Sequence, residues 1–197
     1  MYKSEALKKL YYCLAYFPKV ETDRINKIRQ RYDPTYNLVS PHLTVIFPVP
    51  SSVGKKRIIN HIDTVLKNWR PFQIHFGGLK KSWDHWLFLT LKNGESEIKR
   101  LSKELYSGFL SEYYRDDLEF IPHIGIGLFI KNNSQYDYKN PQQLTFDDKT
   151  YQQALSEAES IGFDFKCIIN NLELLELNDD FTRIRPIKKF VLEGCGT

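Results

Sequence analysis

The chain contains no apolar run long enough to cross a bilayer, so none of its 197 residues reads as a helical membrane anchor. Cysteine is scarce. Cys13, Cys167 and Cys195 are an odd, scattered set without metal-ligand spacing. That excludes a disulfide framework and points to free thiols in a reducing cytoplasm, the expected location. Cys13 and Cys167 sit in apolar runs and read as inert core residues. The basic, polar start (Met1 to Lys9) and the short, tyrosine-rich Leu10 to Phe17 make a poor secretory leader. There is no Gly/Ser-rich linker and no short-period repeat, which argues against flexibly strung domains and against a solenoid.

What is present suits a folded protein. Apolar residues make up 42% and aromatics 14%, enough for a real core in one domain built of two lobes. A net charge of +4 favours anionic partners mildly.

Periodicity predicts alternating strands and helices in the order β-α-β-α-β-β-α-β-α-β-β. Leu10–Phe17 reads as a strand, and Thr22–Tyr32 as a helix with Thr22 as N-cap. His42–Phe47 reads as a strand stopped by Pro48 and Pro50. Ser52–Trp69 has helical spacing. Phe72–Leu79 and His85–Leu91 form an expected hairpin, and Gly94–Ser111 an expected helix. His123–Ile130 reads as a strand. Thr150–Ile161 is an expected helix, with Thr150 and Gln153 as a capping box and Gly162 as its stop. Phe163–Leu177 and Thr182–Leu192 close the chain as strands. Lys131–Lys149 is long and polar, an expected flap or insertion.

Two strands read alike: Pro41-His42-Leu43-Thr44-Val45-Ile46-Phe47 and Pro122-His123-Ile124-Gly125-Ile126-Gly127-Leu128-Phe129. Each puts a histidine directly after a proline, at the start of an apolar run. Alternation places His42 and Thr44 on one face of the first, and His123, Gly125 and Gly127 on one face of the second. Two imidazoles converging on one substrate can act as general acid and general base, because both protonation states are accessible near neutral pH. A threonine hydroxyl can hold a phosphate oxygen as charge builds. The scheme needs no metal and no cofactor. For a lone histidine, a hydrogen bond to nearby backbone is the simpler account; the matched pair favours chemistry.

At these residues the chain resembles the 2H phosphoesterase superfamily, which includes 2′-5′ RNA ligases and cyclic nucleotide phosphodiesterases. That family is marked by two His-x-Thr/Ser-x motifs, commonly preceded by proline. His42-Leu43-Thr44-Val45 fits fully, and the 81-residue separation of His42 and His123 suits the family. The resemblance implies an α+β fold of two lobes, with antiparallel sheets, helices outside and a central cleft. It implies His42, Thr44 and His123 as catalytic residues. The implied substrate is an RNA end or a small nucleotide phosphodiester such as a 2′,3′-cyclic phosphate, and the implied assembly is a monomer. The second motif departs from the pattern: Gly125 replaces Thr or Ser, and Leu128 replaces a common basic residue. The Gly125 backbone N–H is the candidate substitute donor. Losing one such donor elsewhere costs about 10²–10³-fold in rate. A binding module without turnover on the same scaffold is therefore the alternative.

Other candidates are weaker. Arg183 and Arg185 could bind phosphate or lie solvated, and Tyr114 could contribute to a base pocket. Trp83, His85 and Trp86 read as packing of a hairpin turn, and His61 and His75 as structural.

Overall fold

The computed structural model describes residues 9–131 and 144–193. Among the described residues, four α-helices and eight strands follow one another. The first half runs β1 (Leu10–Tyr16), α1 (Thr22–Tyr32), β2 (Leu43–Pro50), α2 (Lys55–Leu66) and β3 (Phe72–Lys81). The second runs β4 (Trp86–Asn93), α3 (Glu95–Leu105), β5 (His123–Leu128), α4 (Asp148–Ile161) and β6 (Phe165–Ile169). β7 (Asn171–Asn178) and β8 (Ile184–Val191) complete it.

All the strands join one antiparallel sheet in the order β6-β3-β4-β5-β2-β1-β7-β8. Its two halves meet where β5 lies beside β2, through the single pair Leu43↔Ile124. Each histidine strand is thus the innermost strand of its half. The sheet curls, because β6 at one edge runs into β7 of the other half with only Asn170 between them. Tyr16 at the end of β1 donates its hydroxyl to the Ile168 carbonyl of β6 across that curl (3.2 Å).

The main core lies on the helix-bearing face, where Leu14, Leu43, Ile46, Phe76, Leu87 and Ile124 meet Ile25, Ile28, Ile62 and Leu101 of the helices. The opposite face of the sheet half formed by β2, β1, β7 and β8 holds a small apolar cluster of Cys13, Ala15, Leu175 and Leu177, closed by Phe17, Phe181 and Ile184. Cys13 and Cys167 are free and buried, as their apolar surroundings require.

Several boundaries move for identifiable reasons. Pro48 and Pro50 do not stop β2. Pro48 falls in the irregular stretch of the β1 ladder between Tyr12↔Val49 and Leu14↔Ile46, and Pro50 is the last residue of the strand, so neither interrupts a regular run of pairs. In that irregular stretch the Phe47 N–H donates instead to the Tyr106 hydroxyl (2.8 Å). The first helix is preceded by Glu21 in a left-handed conformation (φ 60), and Thr22 is its first residue rather than its cap. The helix over 94–111 divides: α3 ends at Leu105, and a separate 3-10 turn spans Gly108–Tyr113 from a Gly108 at φ 61. α4 starts at Asp148, capped by Asp147, whose carboxylate accepts from the Thr150 N–H (3.2 Å) and hydroxyl (2.8 Å). Gly162 terminates it with φ 64. The strand expected over Phe163–Leu177 divides at Asn170 into β6 and β7. The proposed flap falls mainly on 132–143, outside the described residues; flanking it, Ile130 bridges Phe146 and Lys131 N–H donates to the Thr145 carbonyl (2.8 Å).

Candidate active site

The Leu43↔Ile124 pair decides which way the motif side chains point. Both residues are buried in the main core. Their neighbours His42, Thr44, His123 and Gly125 therefore turn to the opposite face of the sheet, where all four are half-buried. Antiparallel pairing about that point sets His42 across from Gly125 and Thr44 across from His123. One patch across the β2–β5 seam holds both imidazoles and the hydroxyl.

The prolines have a local role. In each motif the histidine Nδ1 meets the carbonyl of the residue before the proline: Ser40 at 2.9 Å from His42, and Ile121 at 2.6 Å from His123. Proline fixes its own φ and holds the preceding residue extended, which aims that carbonyl. A carbonyl only accepts, so Nδ1 carries the proton and donates it. The neutral ring then presents Nε2 with its lone pair. The same device sets the tautomer of both rings.

The surroundings favour neutral imidazoles. Burial lowers the His42 pKa from its ordinary value; the bond to Ser40 opposes this, and Arg29 and Asp33 act on it in opposite directions. Burial lowers His123 to about 4, against the raising effects of the Ile121 carbonyl and Asp84, with a further small lowering by His42. That last influence is the one expected of two rings that share the β2–β5 seam. Phe88 of β4 stacks on His123 with centroids 3.4 Å apart and planes 15° from parallel. Phe17 contacts His42 at 5.7 Å. Sequence patterning does not single out Phe88; its position on a strand facing Gly125 is the available signal.

Thr44 lies beside Ala15 of β1 and close to the Cys13 thiol. Burial pushes that thiol up to about 12, only partly offset by the Thr44 hydroxyl, so Cys13 is protonated and no nucleophile. Among the described residues no group of three or more His, Cys, Asp or Glu could hold a metal ion.

The two glycines of the second motif part company. Leu87 pairs with Gly127 and Phe88 with Gly125, leaving Ile126 as an extra residue in a bulge. Gly127 is thereby turned to the helix side, where an added Cβ would lie 2.6 Å from Phe129 and 2.9 Å from the Tyr32 Cβ of α1. It lets α1 approach β5 closely. Only Gly125 remains on the histidine face, and Trp86 covers it. Trp86 thus belongs to the site as well as to the hairpin turn.

The outlying candidates are not brought to the imidazoles. Arg185 pairs across β7 with Glu176 (2.5 Å), which in turn faces Tyr12 of the main core. Ile184, not Arg185, joins the cluster on the histidine side. Of the two readings for Arg185, phosphate contact or a solvated position, its surroundings match the solvated one. Arg183 is exposed in the β7–β8 turn, its N–H bonded to the Asn178 side chain (2.8 Å). Tyr114 packs on Tyr106 (5.4 Å), outside the His42–His123 patch. His61 and His75 are engaged elsewhere, with the Leu105 carbonyl (2.8 Å) and with Asp164 respectively.

Comparison with known proteins bears on the family and the fold. Residues 17–180 match the family model of the 2′-5′ RNA ligase superfamily. A Bacillus cereus protein named "Putative phosphoesterase" is 29% identical over 143 residues, covering 71% of this chain and 80% of its own. Among solved structures, TT0787 of Thermus thermophilus superposes with a TM-score of 0.61 at 15% identity, over 95% of this chain and all of its own (100%). E. coli LigT, solved as a complex with 3′-AMP, gives a TM-score of 0.58 at 14% identity, over 95% of this chain and 99% of that one. The structural matches establish a shared fold and the family model covers most of the chain, so this chain belongs to the 2′-5′ RNA ligase superfamily of 2H phosphoesterases.

Proposed function

We propose that the protein is a phosphoesterase that opens 2′,3′-cyclic phosphates at an RNA end or on a small nucleotide, with 2′-5′ ligation when a 5′-hydroxyl replaces water as the nucleophile. The observation carrying this reading is the shared tautomer device: two carbonyl-anchored Nδ1–H groups leave two Nε2 atoms on one face beside the Thr44 hydroxyl. One imidazole takes a proton from water as its oxygen attacks phosphorus. The second, protonated imidazole gives its proton to the ribose oxygen as that P–O bond breaks. One P–O bond forms and one is lost, and the proton count balances. With a 5′-hydroxyl in place of water the same two transfers form a 2′-5′ linkage, and the roles exchange when that linkage is cleaved back to the cyclic phosphate. Thr44 donates to a non-bridging oxygen, where negative charge grows. The 3′-AMP held by the related E. coli fold is a nucleoside phosphate of the kind such a ring opening releases.

Both rings rest neutral, so the acid must be protonated as substrate binds. A phosphodiester anion placed between the imidazoles favours that charged form. The test is turnover of a 2′,3′-cyclic nucleotide by wild type, His42→Ala and His123→Ala. Each substitution is expected to lower kcat by about 10²–10⁴-fold; equal rates in all three proteins would end the reading.

A second reading is kept alive by Trp86, whose indole covers the position of the missing hydroxyl. It describes a nucleotide- or RNA-binding module without turnover. Tight binding of a nucleoside phosphate, with cyclic phosphate left intact, favours it.

A further inference from the structure

Arg29 heads the largest fully buried side chains of the described fold, and the acid–base scheme makes no use of it. It lies on α1, where Ile25 and Ile28 already define the buried stripe. Its ion-pair partner Asp33 is equally enclosed, with side-chain exposures of 1% and 2%. For such a pair, desolvation can exceed the Coulombic gain, so stability alone is a weak reason to keep it. Its hydrogen bonds suggest a reason. Nε donates to Asp33 Oδ2 (2.7 Å), Nη1 to Asn26 Oδ1 (3.2 Å), and Nη2 to the Val39 carbonyl (2.8 Å). The other Asp33 oxygen accepts from both the N–H and the hydroxyl of Thr35, each at 2.7 Å.

These bonds grip the loop between α1 and β2 at both ends. Asp33 and Thr35 open it, and Val39 stands one residue before Ser40, whose carbonyl holds His42 Nδ1. A chain of contacts thus runs from α1 through the guanidinium to Val39, Ser40 and the imidazole. His123 has a different support. Its ring is stacked on Phe88, and the Arg115–Asp117 pair in the preceding loop is exposed, at 66% and 58%.

We propose that Arg29 is the positioning residue for His42, its guanidinium fixing residues 33–41 so that the Ser40 carbonyl selects the Nδ1–H tautomer and aims Nε2 at the substrate. This rests on His42 being half of the acid–base pair, yet its central test does not require turnover. The test is an imidazole ¹H–¹⁵N correlation spectrum of labelled protein, for wild type, Arg29→Lys, Asp33→Asn and the double substitution Arg29→Met/Asp33→Leu. Lysine keeps the charge but cannot reproduce the fork. The double variant leaves no buried charge uncompensated, so it keeps the test decisive where a single variant unfolds.

Wild type is expected to show His42 as the Nδ1–H form alone. Each folded variant is expected to show His42 as a mixture of tautomers with His123 unchanged. In parallel, kcat on a 2′,3′-cyclic nucleotide is expected to fall about 10–100-fold with KM within about twofold. If Arg29 serves only to hold the fold, Tm drops while both histidine spectra stay as in wild type, and the proposal is overturned. If wild type turns over nothing, the acid–base reading fails separately, and the His42 spectra still decide the role of Arg29.

Discussion

The Cβ that Gly125 lacks would stand 3.3 Å from the Trp86 indole, the ring that lies over it on the histidine face. The departure of the second motif is therefore a paired feature: loss of a side chain on β5 accompanies a bulky ring on β4. Restoring the family hydroxyl by Gly125→Thr alone crowds that ring. The single variant is expected to lose about 1–3 kcal/mol of stability and to turn over cyclic phosphate no faster than wild type. Combining Gly125→Thr with Trp86→Leu relieves the contact, and turnover is expected to exceed that of either single variant. Thermal melts and a cyclic-phosphate assay on the three variants check this. A rate gain from Gly125→Thr alone would show that Trp86 yields freely.

The depressed imidazoles fix the sign of a pH effect. In the free site His42 lies below its ordinary pKa and His123 near 4, each chiefly through burial. A bound phosphodiester anion stabilises the protonated ring and raises its pKa. The complex thus binds more protons than the free protein below neutrality, and binding must tighten as pH falls, by at most about tenfold per unit. Calorimetric titration with a nucleoside phosphodiester of constant charge, from about pH 7 to about pH 5, is expected to show proton uptake in that direction. An affinity independent of pH would remove the imidazoles from the binding site.

Much of this was legible in the chain because it is local. The span of α1, Thr22–Tyr32, follows from apolar spacing, and both Pro-His strands announce themselves. That His42 and His123 share a seam depends on β2 lying beside β5, a long-range pairing that periodicity cannot give; the family resemblance implied only a central cleft and the two histidines as its catalytic residues. The bulge at Ile126 was invisible because alternation presumes an unbroken ladder; one extra residue sent Gly127 to the helix side. The division at Asn170 was hidden for a related reason, since Phe163–Leu177 looks like one apolar strand whichever partners it takes. Arg29 and Asp33 stand at i,i+4, the spacing of an ordinary surface pair. The distinguishing signal is that Arg29 lies four residues after Ile25, on the buried stripe.

Phe88 offers a direct check on what depresses His123. Burial is the largest cause of the shift to about 4, and the stacked phenyl ring supplies part of that burial. Phe88→Ala opens one imidazole face to water. The pKa of His123 is expected to rise toward the usual histidine value by on the order of one unit, with His42 nearly unmoved. An NMR titration of the two rings measures both shifts. A His123 pKa that stays near 4 would assign the depression to the neighbouring strands instead.

Gly127 links the fold to the site from the other side of the sheet. Its missing Cβ is the space in which α1 meets β5, with Tyr32 Cβ 2.9 Å and the Phe129 ring 2.6 Å from where that atom would be. Neither neighbour can yield without moving the helix or a buried aromatic. Gly127→Ala is expected to cost about 1–3 kcal/mol through overpacking, read as a lower Tm. The displaced helix is the one that carries Arg29, so the strain should reach His42 while leaving Phe88 stacked on His123. The expected signature is a fall in kcat larger than the rise in KM, with His42 resonances perturbed more than those of His123. Equal perturbation of both histidines would mean that α1 moves the whole seam rather than one ring.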